Sequence, residues 1–294
     1  MISASHPNLA ECRHSGHDNK AAVGPAHSLW HWMIMHSHRN STRRNRNIGT
    51  AKQGHGQNNA LVIPSRTDGL YWLDRIGDHC VEDRVIADRT VRFIIETNTL
   101  DCIHPCTVDD VARVLKALPQ SDWAGLQTFV FRQPTRKQLI LSPVWGRLLY
   151  YSEIATAQGR PLAKGPVIFL DAIQVSKPLI WSTSLDQDDS LELDRLRADG
   201  HDVQRLGRKF SISVTASSAR NTQLHRTLLH EIGHWFDWLS KVEEPAAKGG
   251  VWESLERDYF ARPKAEREAF AHRYADAQRM LLEEMGIIPF DRIE

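Results

Sequence analysis

The sequence predicts an α+β fold, a mixed β-sheet followed by C-terminal helices, preceded by a disordered N-terminal tail. Three observations lead there. Short runs of β-branched and aromatic residues, separated by Pro, Gly and polar turns, fill the middle of the chain. Apolar residues at helical spacing take over from about residue 221. The first 60 residues contain HPN, HSGHDN, HSHRNSTRRNRN and KQGHGQNN, rich in His, Asn, Arg, Ser and Gly with little apolar periodicity. The division that follows is a tail over 1–60 and one folded domain over 61–294, sheet-rich over 61–220 and helical over 221–294.

Taken in order, a short helical stretch is predicted near Leu70 to Ile76 and a strand over Val91 to Glu96, RFIIE, rich in β-branched residues. Thr107 is a good N-cap for VDDVARVLKALP, with Asp109 and Asp110 in the first turn and Pro119 as the stop. Strands are expected over Gln127 to Arg132, Gln138 to Leu141, Leu148 to Tyr151, Val167 to Ala172 and Phe210 to Thr215, all in one mixed sheet. The acidic stretch Ser184 to Asp194 reads as an exposed excursion. Asn221 or Thr222 can cap a helix to about Lys241, with Leu224, Leu228, Ile232, Phe236 and Leu239 as its apolar stripe, closed by the polar loop EEPAAKGG. A helix over Val251 to Phe260 follows, and Pro263 opens a last one through Met285, ended by Gly286.

The chain of 294 residues is 41% hydrophobic and 25% charged, the balance of a soluble globular protein, and its formal net charge of +1 singles out no class of partner. Charge is uneven, however: residues 1–55 hold seven Lys/Arg against two Asp/Glu, and eight of the fifteen histidines. Close pairs such as His14/His17 and His36/His38, with Arg43, Arg44 and Arg46, would suit a metal-collecting or nucleic-acid-touching arm. A solvated extension is the preferred reading of them, and nucleic acid is not the expected partner. Cys12, Cys80, Cys102 and Cys106 lack the spacing of a disulfide framework and are expected as thiols. No run of 18 apolar residues exists, so no membrane partner is expected, and a cytoplasmic location is the default. Nothing in the sequence fixes an oligomeric state.

Chemistry concentrates in HEIGH, His230 to His234. Two imidazoles four residues apart on a helix project from one face and suit a single divalent metal, with one zinc ion the usual occupant. Glu231, one residue round the helix, is placed to take a proton from a water on that metal. A catalytic zinc takes three protein ligands, so a third must come from elsewhere, and Glu253, Glu268, His272 and Asp237 are the candidates. Asp237 could alternatively receive a ring N–H of a ligand histidine. A second grouping, Cys102, His104 and Cys106 with His79 and Cys80, has spacing unusual for structural zinc and reads as buried thiols and ordinary loop histidines.

HEIGHWFD together with the later E-x-F-A-x-x-Y of Glu268 to Tyr274 resembles the gluzincin metallopeptidases, in particular the group that includes the anthrax toxin lethal factor and zincin-like domains of phage and mobile elements. The likeness covers Leu224 to Asp276. It implies a zincin-like fold and a metalloendopeptidase acting on a peptide or protein substrate. It also implies that Glu268 is the third zinc ligand and that Tyr259 stabilises the developing oxyanion. Glu253 follows Trp252, where thermolysin-like gluzincins place Asn, and His272 stands where the lethal factor group carries an acidic residue. Tyr274 is expected to pack on the last helix. The resemblance further implies that Phe210 to Thr215 is an edge strand to which an extended substrate adds. Two other readings remain open: a catalytically inactive binding module with structural zinc, and a nucleic-acid-associated protein acting through its basic tail.

Overall fold

Turn chemistry and strand patterning build the first half of the domain. In the computed structural model, which describes residues 74–99, 101–135 and 144–293, strand β2 (His79–Ile86) turns into β3 (Arg89–Glu96) through Ala87 and Asp88. Both turn residues have positive φ, 50° and 64°, as a two-residue hairpin requires. Six strands form the main sheet in the order β1 (Arg75–Ile76), β5 (Gly146–Thr156), β6 (Pro161–Asp171), β4 (Thr128–Arg132), β3, β2. The pairs β3/β4, β4/β6 and β1/β5 are parallel, and β2/β3 and β5/β6 are antiparallel. The sheet is therefore mixed, as expected.

Alternation sends side chains to two cores. Phe93, Phe129 and Phe131 face helix α1 (Val108–Ala117) and the C-terminal helices. Ile94, Val130 and Phe169 point the other way into a smaller cluster with Leu149, Ile154 and Val167. Helix α1 begins as its sequence dictates, with a capping box between Thr107 and Asp110, and stops at Leu118 before Pro119.

Several expectations need correction. There are two sheets: β7 (Leu179–Ser182), β8 (Asp202–Leu206) and β9 (Lys209–Ser213) form a separate three-stranded one. Strand β9, which the resemblance implies is an edge, lies in the middle of it, paired on both sides. The acidic stretch is largely helix α2 (Gln187–Ala198), capped by Asp186 and anchored by buried Leu193 and Leu196. Arg75 and Ile76 are strand rather than helix, because they pair with Ala155 and Thr156. The expected tail over 1–60, the remainder of the Leu70 helix up to Leu73, and the strand Gln138 to Leu141 lie outside the described residues.

The helical half starts earlier than predicted. Thr215 and Ser218 form a capping box for α3 (Ala216–Thr222), and the chain stays helical through a π-helical turn at Gln223–Thr227 into α4 (Leu228–Trp238). A second π-helical turn, Leu239–Glu243, leads into α5 (Glu244–Ala247), where Pro245 sits in the first turn without disturbing it. Leu224, Leu228, Ile232 and Leu239 are buried and Phe236 half-buried, which is the predicted stripe. Helices α6 (Trp252–Ala261) and α7 (Lys264–Glu284) complete the fold, and α7 ends at Gly286 with φ of 67°. Among the described residues no helix is long and apolar enough to cross a membrane. Cys80, Cys102 and Cys106 are unpaired thiols, the last two buried.

Candidate metal centre

Helix α4 carries the HEIGH sequence and α7 crosses it at the glycine. A Cβ on Gly233 would lie 3.0 Å from Tyr274 Cδ1 and 3.1 Å from the Ala271 carbonyl oxygen, so a larger residue would push the two helices apart. This close crossing carries Glu268, one turn before Ala271, onto the two histidines. Glu268 Oε2 stands 3.4 Å from His230 Nε2 and 3.5 Å from His234 Nε2. Donor atoms of all three residues lie within 4.8 Å of one another, the one such group of three among the described residues. The two imidazoles meet edge to face, 4.6 Å between centroids and 88° between planes.

Mutual attraction sets the charge state. Burial would raise the Glu268 carboxyl, but the adjacent His230 and His234 outweigh it and hold it well below the usual carboxylate range. Burial would lower His234, and the hydrogen bond to Glu268 reverses this, leaving it above the ordinary imidazole value. The Nδ1 of His230 is buried without a hydrogen-bond partner.

Glu231 leaves α4 beside the main sheet, where the Leu148 backbone N–H donates to its Oε2 at 2.8 Å. Tyr259 is 2% exposed, and its hydroxyl shares a 2.9 Å hydrogen bond with that of Tyr150 on β5. Burial first, then the nearby Asp237 carboxylate, push the Tyr259 phenol up to about 12. Trp238 packs edge-on against Tyr259, 5.0 Å between centroids.

The remaining sequence candidates fall outside the group of three donors. Glu253 is exposed in the first turn of α6. Asp237 is fully buried, and its Oδ2 accepts from Arg262 Nη1 at 2.7 Å in the α6–α7 connection, while its Oδ1, like His230 Nδ1, has no hydrogen-bond partner, so the two are not bonded to each other. His272 stands with its ring 4.4 Å from that of His230. Burial, then the neighbouring His230 and Arg195, lower its pKa to about 4, so it is neutral. His104 is used by the Glu96 carbonyl, and the Cys/His grouping does not assemble. Tyr274 packs on α7 as expected, with its hydroxyl donating to Asp122 at 2.8 Å.

Sequence reasoning missed Leu148, Tyr150 and Gly233. Only Gly233 left a signal, a glycine in a helix interior where it costs up to about 1 kcal/mol relative to Ala and so calls for a close-approach explanation. Against known proteins, the chain matches no family model, no curated sequence and no solved structure.

Proposed function

We propose that this protein is a zincin-like, zinc-dependent metalloendopeptidase, with His230, His234 and Glu268 as metal ligands and Glu231 as the base. One observation carries the reading. Ligand atoms 2.0–2.1 Å from a tetrahedral zinc stand roughly 3.3–3.4 Å apart, and Glu268 Oε2 is 3.4 Å and 3.5 Å from the two imidazole nitrogens. Two imidazoles and a carboxylate, with the proton between them given up to solvent, are also a ligand set that suits zinc.

A bound zinc supplies Lewis acidity, polarising a peptide carbonyl and making water a better acid. The chain's own residues do the rest. Glu231 accepts the water's proton and returns it to the leaving amine. One of its oxygens is held by Leu148, which leaves the other for that exchange. Tyr259, whose hydroxyl Tyr150 already engages, is the donor assigned to the developing oxyanion. The substrate is a peptide or protein in extended form, laid along the β5 flank beside Glu231.

The test is metal analysis combined with peptide-library cleavage by wild type and Glu231→Gln. Both should hold one zinc per chain, and only wild type should cleave, with turnover reduced by about a hundredfold or more in the variant. A wild type fully loaded with zinc and inert on every peptide would replace hydrolysis with a structural-zinc binding module.

A further inference from the structure

The sheet register makes the Leu148 amide spare. The Asp171 N–H donates to the Trp145 carbonyl at 3.1 Å, and opposed residues in an antiparallel pair alternate between bonded and non-bonded positions. With Arg147 opposite Phe169 and Leu148 opposite Ile168, Arg147 turns its main chain toward β6 and Leu148 turns its own outward. Among the described residues, β5 meets its other neighbour, β1, only at Ala155 and Thr156. The Leu148 N–H is thus outside the ladder, and it is this group that reaches Glu231, 83 residues away in sequence.

Gly146 supplies a second, independent observation. A Cβ there would lie 2.8 Å from the Phe169 carbonyl oxygen and 3.0 Å from Thr227 Cγ2, so β5 approaches the segment entering α4 as closely as only glycine permits. Thr227 and Glu231 are four helical residues apart, a rise of about 6 Å, and Gly146 and Leu148 are two strand residues apart, about 6.6 Å. The two spacings match. The contact at Gly146 therefore sets the height at which the Leu148 amide meets the carboxylate one helical turn further on.

We propose that the backbone amide of Leu148, held at the right distance by Gly146, is the positioning group of Glu231: it fixes one carboxylate oxygen so that the other faces the reacting water. This role rests on the metalloendopeptidase reading. An ionised carboxylate is acceptor-only, and a charge-assisted bond from an N–H is strong and directional enough to select one orientation. The sheet edge and the proposed base thereby form one unit.

Leu148→Pro deletes the N–H, and an outward-facing edge position tolerates proline because no ladder bond is lost. Leu148→Ala removes the side chain but keeps the N–H. In the full-length, zinc-loaded protein, assayed on a peptide cleaved by wild type, both variants should hold one zinc. The kcat of Leu148→Pro should fall about tenfold below that of Leu148→Ala, with KM within about twofold. Equal kcat values, or a loss confined to KM, would overturn the positioning role while leaving the peptidase reading intact. A wild type that holds zinc and cleaves nothing would instead remove that reading, and the role with it. Hydrogen exchange gives a readout that needs no activity or tolerance of proline. The Leu148 amide should be protected in wild type and exchange at least about tenfold faster in Glu231→Ala. Unchanged protection would show that another group satisfies the amide, and the proposal would fall.

Discussion

Asp110 and Glu268 both tie distant parts of the chain together, and their surroundings are opposite. The Asp110 carboxylate is fully buried and accepts from Arg220 Nε and Nη2, at 3.1 and 2.9 Å, and from the Thr107 and Ile293 backbone amides, each at 3.1 Å. Burial would raise its pKa, but the Arg220 hydrogen bonds overcome this and hold it below the usual range. Asp199 is closed in the same way by Arg226, Thr222 and Arg279. Glu268 is 37% exposed at its side chain and meets two imidazoles, with Lys264 Nζ only at 3.8 Å. An anion closed by fixed cations and amides cements a fold. A carboxylate and two imidazoles converging on the same space form a ligand set that a cation would complete by displacing the protons between them.

The largest effects should separate the two clusters. Glu268→Ala should weaken zinc binding by more than the roughly 10- to 100-fold typical of losing an outer-shell partner, while metal-free stability changes little. Asp110→Ala should do the reverse. It leaves Arg220 buried beside no anion, at a cost of about 3–5 kcal/mol in unfolding free energy, and any protein that stays folded should keep its zinc. Chelator competition and denaturant unfolding on both variants measure the two quantities. Equal zinc affinity in wild type and Glu268→Ala would contradict the contrast at its centre.

How much of this was legible in the sequence follows from how local each cause is. The Thr107 cap, the apolar stripe of α4 and the Pro263-to-Gly286 limits of α7 are written within a few residues of where they act, and all appear in the structure. The pairing of His230 and His234 is equally local. Strand β2 was missed because half of its residues, HCVEDRVI, are polar or charged without strict alternation and it lies on the sheet edge, where only Ile86 is buried. Helix α2 was missed because Gln187–Ala198 buries only Leu193 and Leu196, too few to mark a periodic face among its charges. The resemblance implies an edge strand at Phe210 to Thr215, yet the strand that meets Glu231 is β5. That depends on the order of strands in the sheet, which no residue pattern specifies.

Acid provides a second way to sharpen the comparison. His225, beside the closed Arg220 cluster, has its pKa lowered to about 4, first by burial and then by the charges of Arg220 and Arg279. In the unfolded chain it titrates near 6.5, so the unfolded state takes up a proton first. The stability it contributes is complete above about pH 6.5 and is lost as pH falls toward 4, by up to about 3 kcal/mol. Burial lowers His104 and His201 as well, which adds to the same slope. Unfolding free energies between pH 7.5 and 4.5 should therefore decline, and His225→Leu should decline less. An identical slope in that variant would assign the acid sensitivity elsewhere.

The smallest effect dissects the closed cluster itself. Asp110 serves at once as partner of Arg220, as anchor for the Ile293 amide and as the third residue of the α1 capping box, in which its own N–H donates to Thr107 Oγ1 at 3.1 Å. Thr107→Ala removes only that last acceptor, leaving the Asp110 carboxylate and all its donors in place. The expected cost is about 1 kcal/mol, the usual worth of an N-cap side chain, measurable as a shift of the denaturant midpoint at constant slope. Because the carboxylate keeps Arg220, the coupling between Thr107→Ala and Asp110→Ala in a double-mutant cycle should be no larger than the cap itself. A Thr107→Ala cost rivalling that of Asp110→Ala would mean that the cap, and not the guanidinium, holds the carboxylate in position.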